Sequence, residues 1–175
     1  MKLVVSAICC SVLCCLPAFA RSSHSSQSAA EAMTDQQFVD FAAQTDMLEA
    51  HLGQMAQDQA DAQAVKDYAQ MLITDHTSDY QKLGPLAAKM SLTVPKGLDA
   101  EHDKMIEPFE KPHGAAFDHL YIHTMIEGHT KAIAIYKKEA ADAQNADLKE
   151  YAAETLPTLQ KHLDGAKDLL KKGAK

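Results

Sequence analysis

Four long stretches of this chain repeat apolar residues at the three- and four-residue spacing of an amphipathic helix. The pattern predicts helices over about 34–59, 61–90, 116–142 and 145–171. Their core rows run through Phe38, Phe41, Thr45, Leu48, Leu52 and Met55; Val65, Ala69, Leu72, His76, Asp79, Leu83, Leu86 and Met90; Asp118, Ile122, Met125, His129, Ala132 and Tyr136; and Leu148, Ala152, Thr155, Leu159, His162, Ala166 and Leu169. We therefore expect an all-α fold.

Local signals place the helix ends and the connection between the two helix pairs. Thr34 and Gln37 have the spacing of a capping box. Gly84-Pro85 predicts a kink or break in the second helix, and Pro157 predicts a bend in the last. The long connection, 91–115, contains a predicted short helix from about Ala100 to Glu110. Such a connection is typical of ferritin-like bundles, so we predict a ferritin-like four-helix bundle over 34–175.

The first twenty residues have the order of a secretory signal peptide. Lys2 precedes an apolar run from Leu3 to Leu16, and the small-residue pattern Ala-Phe-Ala ends at residue 20. Residues 21–33 are rich in serine and alanine and are predicted to form a flexible leader. All four cysteines lie in the predicted signal peptide, and lipid attachment there is the alternative. We expect a periplasmic or secreted protein without disulfides.

Charge excludes some classes of partner. The formal net charge of −7, less the one positive charge of Lys2, leaves −8 after signal cleavage. Nucleic acids and anionic membrane surfaces require clustered lysine and arginine, so we expect neither nucleic-acid binding nor membrane insertion of the cleaved protein. An acidic chain is compatible with cation binding. The sequence does not identify a protein partner, a small ligand or an oligomeric state.

Three histidines and one glutamate lie near the middle of the four predicted helices. His76, His129 and His162 occupy core rows, and Glu49 lies beside the first row, flanked one heptad away by alanines. Mid-helix positions share one height whichever way the long connection runs. We therefore predict a central metal site for a divalent transition ion, with zinc or copper favoured and iron or manganese as further candidates. Asp75, Asp118 and Tyr121 are predicted either to orient the imidazoles or to make helix-interface contacts.

Several alternatives remain open. His119 and His123 are one turn apart and could form a surface metal pair. The methionines at core spacing are better explained by packing than by copper binding. The polar layer could instead be a metal-free hydrogen-bond network in an envelope protein that acts through a partner. A small metal-dependent oxidoreductase is the third hypothesis. No nucleophile with its base and no phosphate-binding glycine loop is evident, so we expect binding rather than catalysis and no organic cofactor.

Several segments also resemble a known family. They are Glu49 with Leu52 and Ala56, VKDYAQMLITDHT at 65–77, FDHLYIHTMIEGH at 117–129, LPTLQKHL at 156–163 and, more weakly, TVP at 93–95. On these residues the chain resembles exported bacterial ferritin-like proteins that are catalogued as a domain of unknown function and often labelled periplasmic or outer-membrane proteins. The resemblance implies a four-helix bundle outside the cytoplasm and no established reaction. Gly84-Pro85 departs from the family pattern.

The ferritin likeness does not extend to di-iron chemistry. A di-iron bundle uses four carboxylates and two Glu-x-x-His pairs on its helices. Here only Glu110 and His113 have that spacing, and Pro112 separates them within the connection. We therefore expect neither ferroxidase activity nor iron storage.

Overall fold

The computed structural model describes residues 33–173. Within that range the chain is all-helical, with five α-helices and no strand: α1 (Asp35–Gln59), α2 (Gln63–Lys89), α3 (Ala100–Ile106), α4 (Ala115–Asp142) and α5 (Ala146–Lys171). A 3₁₀ turn, Glu107–Phe109, follows α3. The predicted signal peptide, 1–20, and all but the last residue of the predicted leader, 21–33, lie outside the described residues.

The long helices begin where the sequence supplies caps. The Thr34 hydroxyl accepts the Gln37 N–H, and the Gln37 side chain accepts the Thr34 N–H, which confirms the predicted capping box. Asn145 caps α5 through its side-chain oxygen. Ala62, which precedes α2, has no side-chain cap. Instead, the buried Asp118 carboxylate of α4 accepts the N–H groups of Asp61 and Ala62 at 3.1 and 2.9 Å.

The connection between α2 and α4 follows α1 from its beginning to its end. Gln36 pairs with the backbone of Thr93, and Gln44, two turns later, bonds the Gly97 carbonyl and the Asp99 N–H. The connection ends where the Gly114 N–H donates to the Gln59 carbonyl at 2.8 Å. Helices α2 and α4 therefore run in the same direction, and the connection crosses the full length of the bundle.

A polar layer divides the core into two apolar clusters. One cluster includes Leu52, Leu72, Phe117 and Tyr121, at the end where α1 finishes and α4 begins. The other includes Phe38, Leu83, Tyr136, Leu148 and Ala152 at the opposite end. Along their helices, His76 and His129 lie between the two clusters, whereas Glu49 lies next to Leu48 of the first cluster and His162 next to Leu163 of the second. The packing thus holds mid-helix positions at one depth.

The predicted core rows of α4 and α5 are confirmed, since every residue in them is buried. The row predicted for α1 is only partly correct, because Phe41, Thr45 and Met55 are half-buried. Phe38, Leu48 and Leu52 of the predicted row are buried, and beside them a second buried row runs through Val39, Ala42, Asp46, Glu49, Gly53 and Ala56 to the C-cap Ala60. Small residues form most of that row because α1 and α2 approach closely: a Cβ on Gly53 would lie 2.7 Å from Ile73 Cγ1.

Of the two alternatives predicted at Gly84-Pro85, a kink or a break, the break is wrong and the kink stays a prediction. Helix α2 continues through Pro85 to Lys89. Proline normally disfavours helical geometry in the preceding residue through a clash with its Cβ, and Gly84 has no Cβ. Only one backbone hydrogen bond is then lost, near the end of the helix. Helix α5 also continues through Pro157.

Candidate metal centre

His76 presents one unpartnered nitrogen to the core. The core row of α2 carries this residue between Leu72 and Leu83 and leaves it 3 % exposed. Its Nδ1 lies 2.8 Å from Asp46 Oδ1 of α1, and both side chains are 4 % exposed. Burial raises the pKa of Asp46 to about 7, and above that pH the ionised carboxylate only accepts, which assigns the proton of the neutral His76 ring to Nδ1. Nε2 of His76 is then an acceptor, and it is buried without a hydrogen-bond partner in the described part of the chain.

His129 is oriented by its own helix. Its Nδ1–H donates to the Met125 carbonyl, one turn earlier, at 2.8 Å. That bond leaves Nε2 as the unprotonated nitrogen of the neutral ring. Nε2 of His129 lies 3.2 Å from Nδ1 of His162 on α5.

His162 is oriented by a carboxylate of α2. Its Nε2 lies 2.9 Å from Asp75 Oδ2, so the proton of the neutral ring belongs on Nε2. The Tyr68 hydroxyl donates to the backbone carbonyl of His162 at 3.0 Å and ties this turn of α5 to α2. Nδ1 of His162 is then a lone pair that faces Nε2 of His129.

When all three rings are neutral, three imidazole lone pairs therefore converge at the centre of the bundle. One nitrogen from each of His76, His129 and His162 lies within 4.8 Å of the other two. The ring centroids are 5.2–5.8 Å apart. Each ring donates its remaining proton to a carboxylate or a carbonyl, which is how metal-binding histidines are usually oriented. In a tetrahedral zinc site, ligand nitrogens lie roughly 3.3 Å apart, so the His129–His162 pair already has this separation.

Burial and nearby carboxylates give the three rings different basicities. Burial lowers the pKa of His162 to about 4, and the hydrogen bond to Asp75 offsets only part of that fall. Burial also lowers the pKa of His129. It acts in the same direction on His76, but the hydrogen bond to Asp46 and nearby negative charges outweigh it and raise the pKa. Two of the rings are therefore neutral at pH 7, the form that binds metal.

Glu49 lies beside the cluster rather than within it. Its Oε1 is 3.8 Å from Nδ1 of His129, the nitrogen whose proton goes to Met125. Its Oε2 is buried without a hydrogen-bond partner among residues 33–173. Gly128 lies against the carboxylate, since a Cβ there would be in van der Waals contact with Oε1 at 3.4 Å. A role for Glu49 as fourth ligand stays a prediction.

The three residues predicted to support the imidazoles have different surroundings. Asp75 contacts His162, as expected of an orienting group. Asp118 instead accepts backbone N–H groups before α2, the helix-interface alternative. The Tyr121 hydroxyl is buried with no partner in the range described, and burial raises its pKa well above the usual value. Asp46, which orients His76, was not predicted from the sequence.

Two clefts flank the cluster. The first, called here the polar cleft, lies among α1, α2 and α5, has a volume of about 110 Å³ and reaches His76 and His162. The second, called the apolar cleft, lies among α1, α3 and α4, has a volume of about 100 Å³ and reaches Glu49. The site is therefore buried but approached from two sides.

His119 and His123 form a separate pair on the outer face of α4. Both residues are exposed, and their ring centroids are 4.4 Å apart. They are not part of the buried group of three.

Fold and site together define a helical bundle with a buried three-histidine cluster at its centre. The chain belongs to the family described as Domain of unknown function (DUF4142), whose model matches residues 20–169. No curated protein and no solved structure matches the chain. Among residues 33–173, no helix has both the length and the apolar character needed to cross a membrane.

Proposed function

We propose that this protein is an exported, ferritin-like four-helix bundle that binds one divalent transition-metal ion through His76, His129 and His162. The signal-peptide pattern of residues 1–20 supports export. The single long connection between parallel α2 and α4 supports a ferritin-like arrangement, in which one crossover joins two helix pairs.

One observation carries the metal proposal. In the neutral cluster, no placement of the imidazole protons gives every ring nitrogen a hydrogen-bond partner. If Nε2 of His162 donates to Asp75, Nδ1 of His162 carries a lone pair. That lone pair faces the lone pair on Nε2 of His129 at 3.2 Å. If Nδ1 of His162 donates instead, its Nε2 opposes the Asp75 carboxylate. Either neutral arrangement is repulsive, and a buried unsatisfied polar group costs about 1–3 kcal/mol. A cation at the centre relieves this repulsion and satisfies Nε2 of His76 as well.

The donor set favours zinc or copper. Imidazole nitrogens suit both ions, and three of them with one remaining position is a common zinc arrangement. Iron and manganese are weaker candidates, because neither the predicted helices nor this cluster supplies the carboxylates of a di-iron centre. We assign Glu49 the role of a charge partner 3.8 Å from His129. Its negative charge favours a cation in this buried polar layer.

We propose binding rather than catalysis, in agreement with the lack of a nucleophile paired with a base in the sequence. Metal titration of the purified, chelator-stripped protein tests this function. We expect one tightly bound Zn²⁺ or Cu²⁺ per chain, lost on His76→Ala, His129→Ala or His162→Ala. The matched control is the double variant His119→Ala/His123→Ala, which removes the exposed pair and leaves the buried ion in place.

Thermal unfolding separates this function from the metal-free alternative. An ion at 1,000 times its Kd stabilises the folded state by about 4 kcal/mol. For a domain of this size, that corresponds to a rise in Tm on the order of 10 °C. A Tm that neither chelator nor added metal changes would support the metal-free hydrogen-bond network. Binding lost only in the surface double variant would also contradict the proposal.

A further inference from the structure

The three ligand nitrogens are enclosed, so an ion must reach them through the protein. Nε2 of His76 is buried, and His129 and His162 are each 1 % exposed. Of the two clefts beside the cluster, only the polar cleft is lined by cluster histidines, namely His76 and His162. This geometry makes the polar cleft the shorter approach to the ligands.

We propose that the divalent cation enters and leaves the histidine cluster through the polar cleft, with Glu154 at its mouth and Thr158 on its wall. This proposal rests on the proposed metal binding and adds the path that the ion takes.

The charge of the polar cleft favours a dication. Four acidic residues line it, Asp46, Asp75, Asp79 and Glu154, and burial raises the pKa of Asp46 to about 7, so the cleft is most negative above that pH. The one lysine in the lining, Lys82, is paired with Asp79 at 3.2 Å. A surface of one sign in a cleft concentrates ions of the opposite sign and raises their association rate.

The neutral residues of the polar cleft also suit a cation that loses its water in steps. Four hydroxyl-bearing residues, Thr45, Ser78, Thr155 and Thr158, also line this cleft, and the Thr155 hydroxyl donates to the Tyr151 carbonyl at 2.9 Å. Hydroxyl oxygens can replace water around an ion before the imidazoles do. The side chain of Asp75 is 30 % exposed to solvent, and its Oδ2 also contacts Nε2 of His162 at 2.9 Å, so one carboxylate reaches from the surface to the cluster.

The apolar cleft offers fewer of these features, because its lining has two carboxylates, Glu49 and Glu101, two threonines, Thr45 and Thr124, and the positive charge of Lys131. Phe41, Leu48, Leu52, Met105 and Met125 form much of its lining, and Glu49 lies at its inner end. A hydrated dication that passed these side chains would lose water without replacement ligands, which is far more costly than passage along oxygen atoms. The two clefts have nearly equal volumes, about 110 and 100 Å³, so chemistry rather than space distinguishes them.

Association kinetics of matched variants test the path. Thr158→Phe fills the polar cleft, and Thr124→Phe fills the apolar cleft at a position that is also half-buried. Glu154→Gln and Glu101→Gln each remove one exposed charge from the polar and apolar clefts respectively. The protein is mixed with Co²⁺ in a stopped-flow instrument at low ionic strength, and the visible absorption of bound Co²⁺ is followed. Equilibrium titration of the same variants gives their affinities.

We expect Thr158→Phe to slow association at least tenfold and Thr124→Phe to leave it unchanged. A unit charge about 8 Å from a dication in water changes the rate roughly fivefold, so Glu154→Gln should slow association by about that factor. Salt near 1 M should abolish the Glu154→Gln effect through screening, and Glu101→Gln should have little effect. Equilibrium affinities should change little in all four variants.

Two results would overturn the path. If Thr124→Phe and Glu101→Gln slow Co²⁺ association while Thr158→Phe and Glu154→Gln do not, the route passes through the apolar cleft. Equal rates in all four variants with intact equilibrium binding exclude the polar cleft as the controlling passage and leave the metal site standing. A wild-type protein that binds no Co²⁺, Zn²⁺ or Cu²⁺ overturns the metal site and the path together. Glu154→Gln keeps the test decisive if Thr158→Phe does not fold, because it adds no bulk.

Discussion

Replacement of Asp46 by asparagine tests how the protein prepares His76 for metal. The wild-type carboxylate accepts the His76 Nδ1–H at 2.8 Å, with both side chains 4 % exposed. The amide oxygen of Asp46→Asn has the shape to accept the same proton, but it carries no charge. Loss of such a supporting group typically weakens metal affinity 10- to 100-fold, which is about 1.4–2.7 kcal/mol. We therefore expect a 10- to 100-fold higher Kd for Zn²⁺ at pH 8.

The same substitution should weaken binding at pH 8 but make the remaining binding less sensitive to acid. Zn²⁺ competes with the proton on Nε2, so affinity falls as the pH drops through the pKa of His76. In the wild type, burial lowers that pKa, but the hydrogen bond to Asp46 and the charges of Glu49, Asp46 and Asp79 outweigh burial and raise it. Without the Asp46 charge, the lowering of the His76 pKa by burial is less fully offset, so the pKa of His76 falls. The pH midpoint for zinc loss should therefore lie lower in Asp46→Asn.

Isothermal titration calorimetry at several pH values, in two buffers of different ionisation enthalpy, measures both the affinity and the protons released. The control is Asp118→Asn, which changes a buried carboxylate at the end of the bundle, away from the cluster. Zinc affinities and pH profiles that are identical in wild type and Asp46→Asn would refute the reasoning. A higher midpoint in the variant would refute the electrostatic part alone.

Three further substitutions test other parts of the structure. Asp118→Ala removes two charge-assisted hydrogen bonds to backbone N–H groups before α2 and should lower the free energy of unfolding by about 2–4 kcal/mol, measured by urea denaturation, without changing zinc affinity. Gly53→Ala should cost about 1–3 kcal/mol because its Cβ would lie 2.7 Å from Ile73 Cγ1, and the cost should shrink in an Ile73→Ala background. Glu49→Gln should weaken zinc binding by about tenfold or less if the carboxylate is only a charge partner; a much larger loss in calorimetry would make it a ligand.

The fold was largely accessible from the sequence because apolar spacing and caps are local signals. The buried rows of α4 and α5 follow directly from residues such as Ile122, Met125 and Leu159. The direction of the long connection was not accessible, because it depends on side-chain contacts across the bundle. Gln36 and Gln44, which bond its backbone, resemble any exposed glutamines in a helical sequence.

The site was partly accessible for a similar reason. A histidine in an otherwise apolar row is conspicuous, so His76, His129 and His162 were predicted, and the structure brings them together. Asp46 was missed because the row that contains it is built from small residues, which contribute little hydrophobic contrast. A signal existed: Val39, Ala42, Asp46, Glu49, Gly53, Ala56 and Ala60 recur at alternating three- and four-residue spacings. That row marks the close contact with α2, where an acidic residue can reach a histidine of the next helix.

Anomalous diffraction from crystals of the zinc-loaded protein, recorded on both sides of the zinc absorption edge, tests the central claim most directly. The three-histidine site predicts one dominant anomalous peak, about 2.0–2.1 Å from Nε2 of His76, Nε2 of His129 and Nδ1 of His162. A protein that takes up no zinc, or a peak confined to the exposed pair His119 and His123, would contradict it.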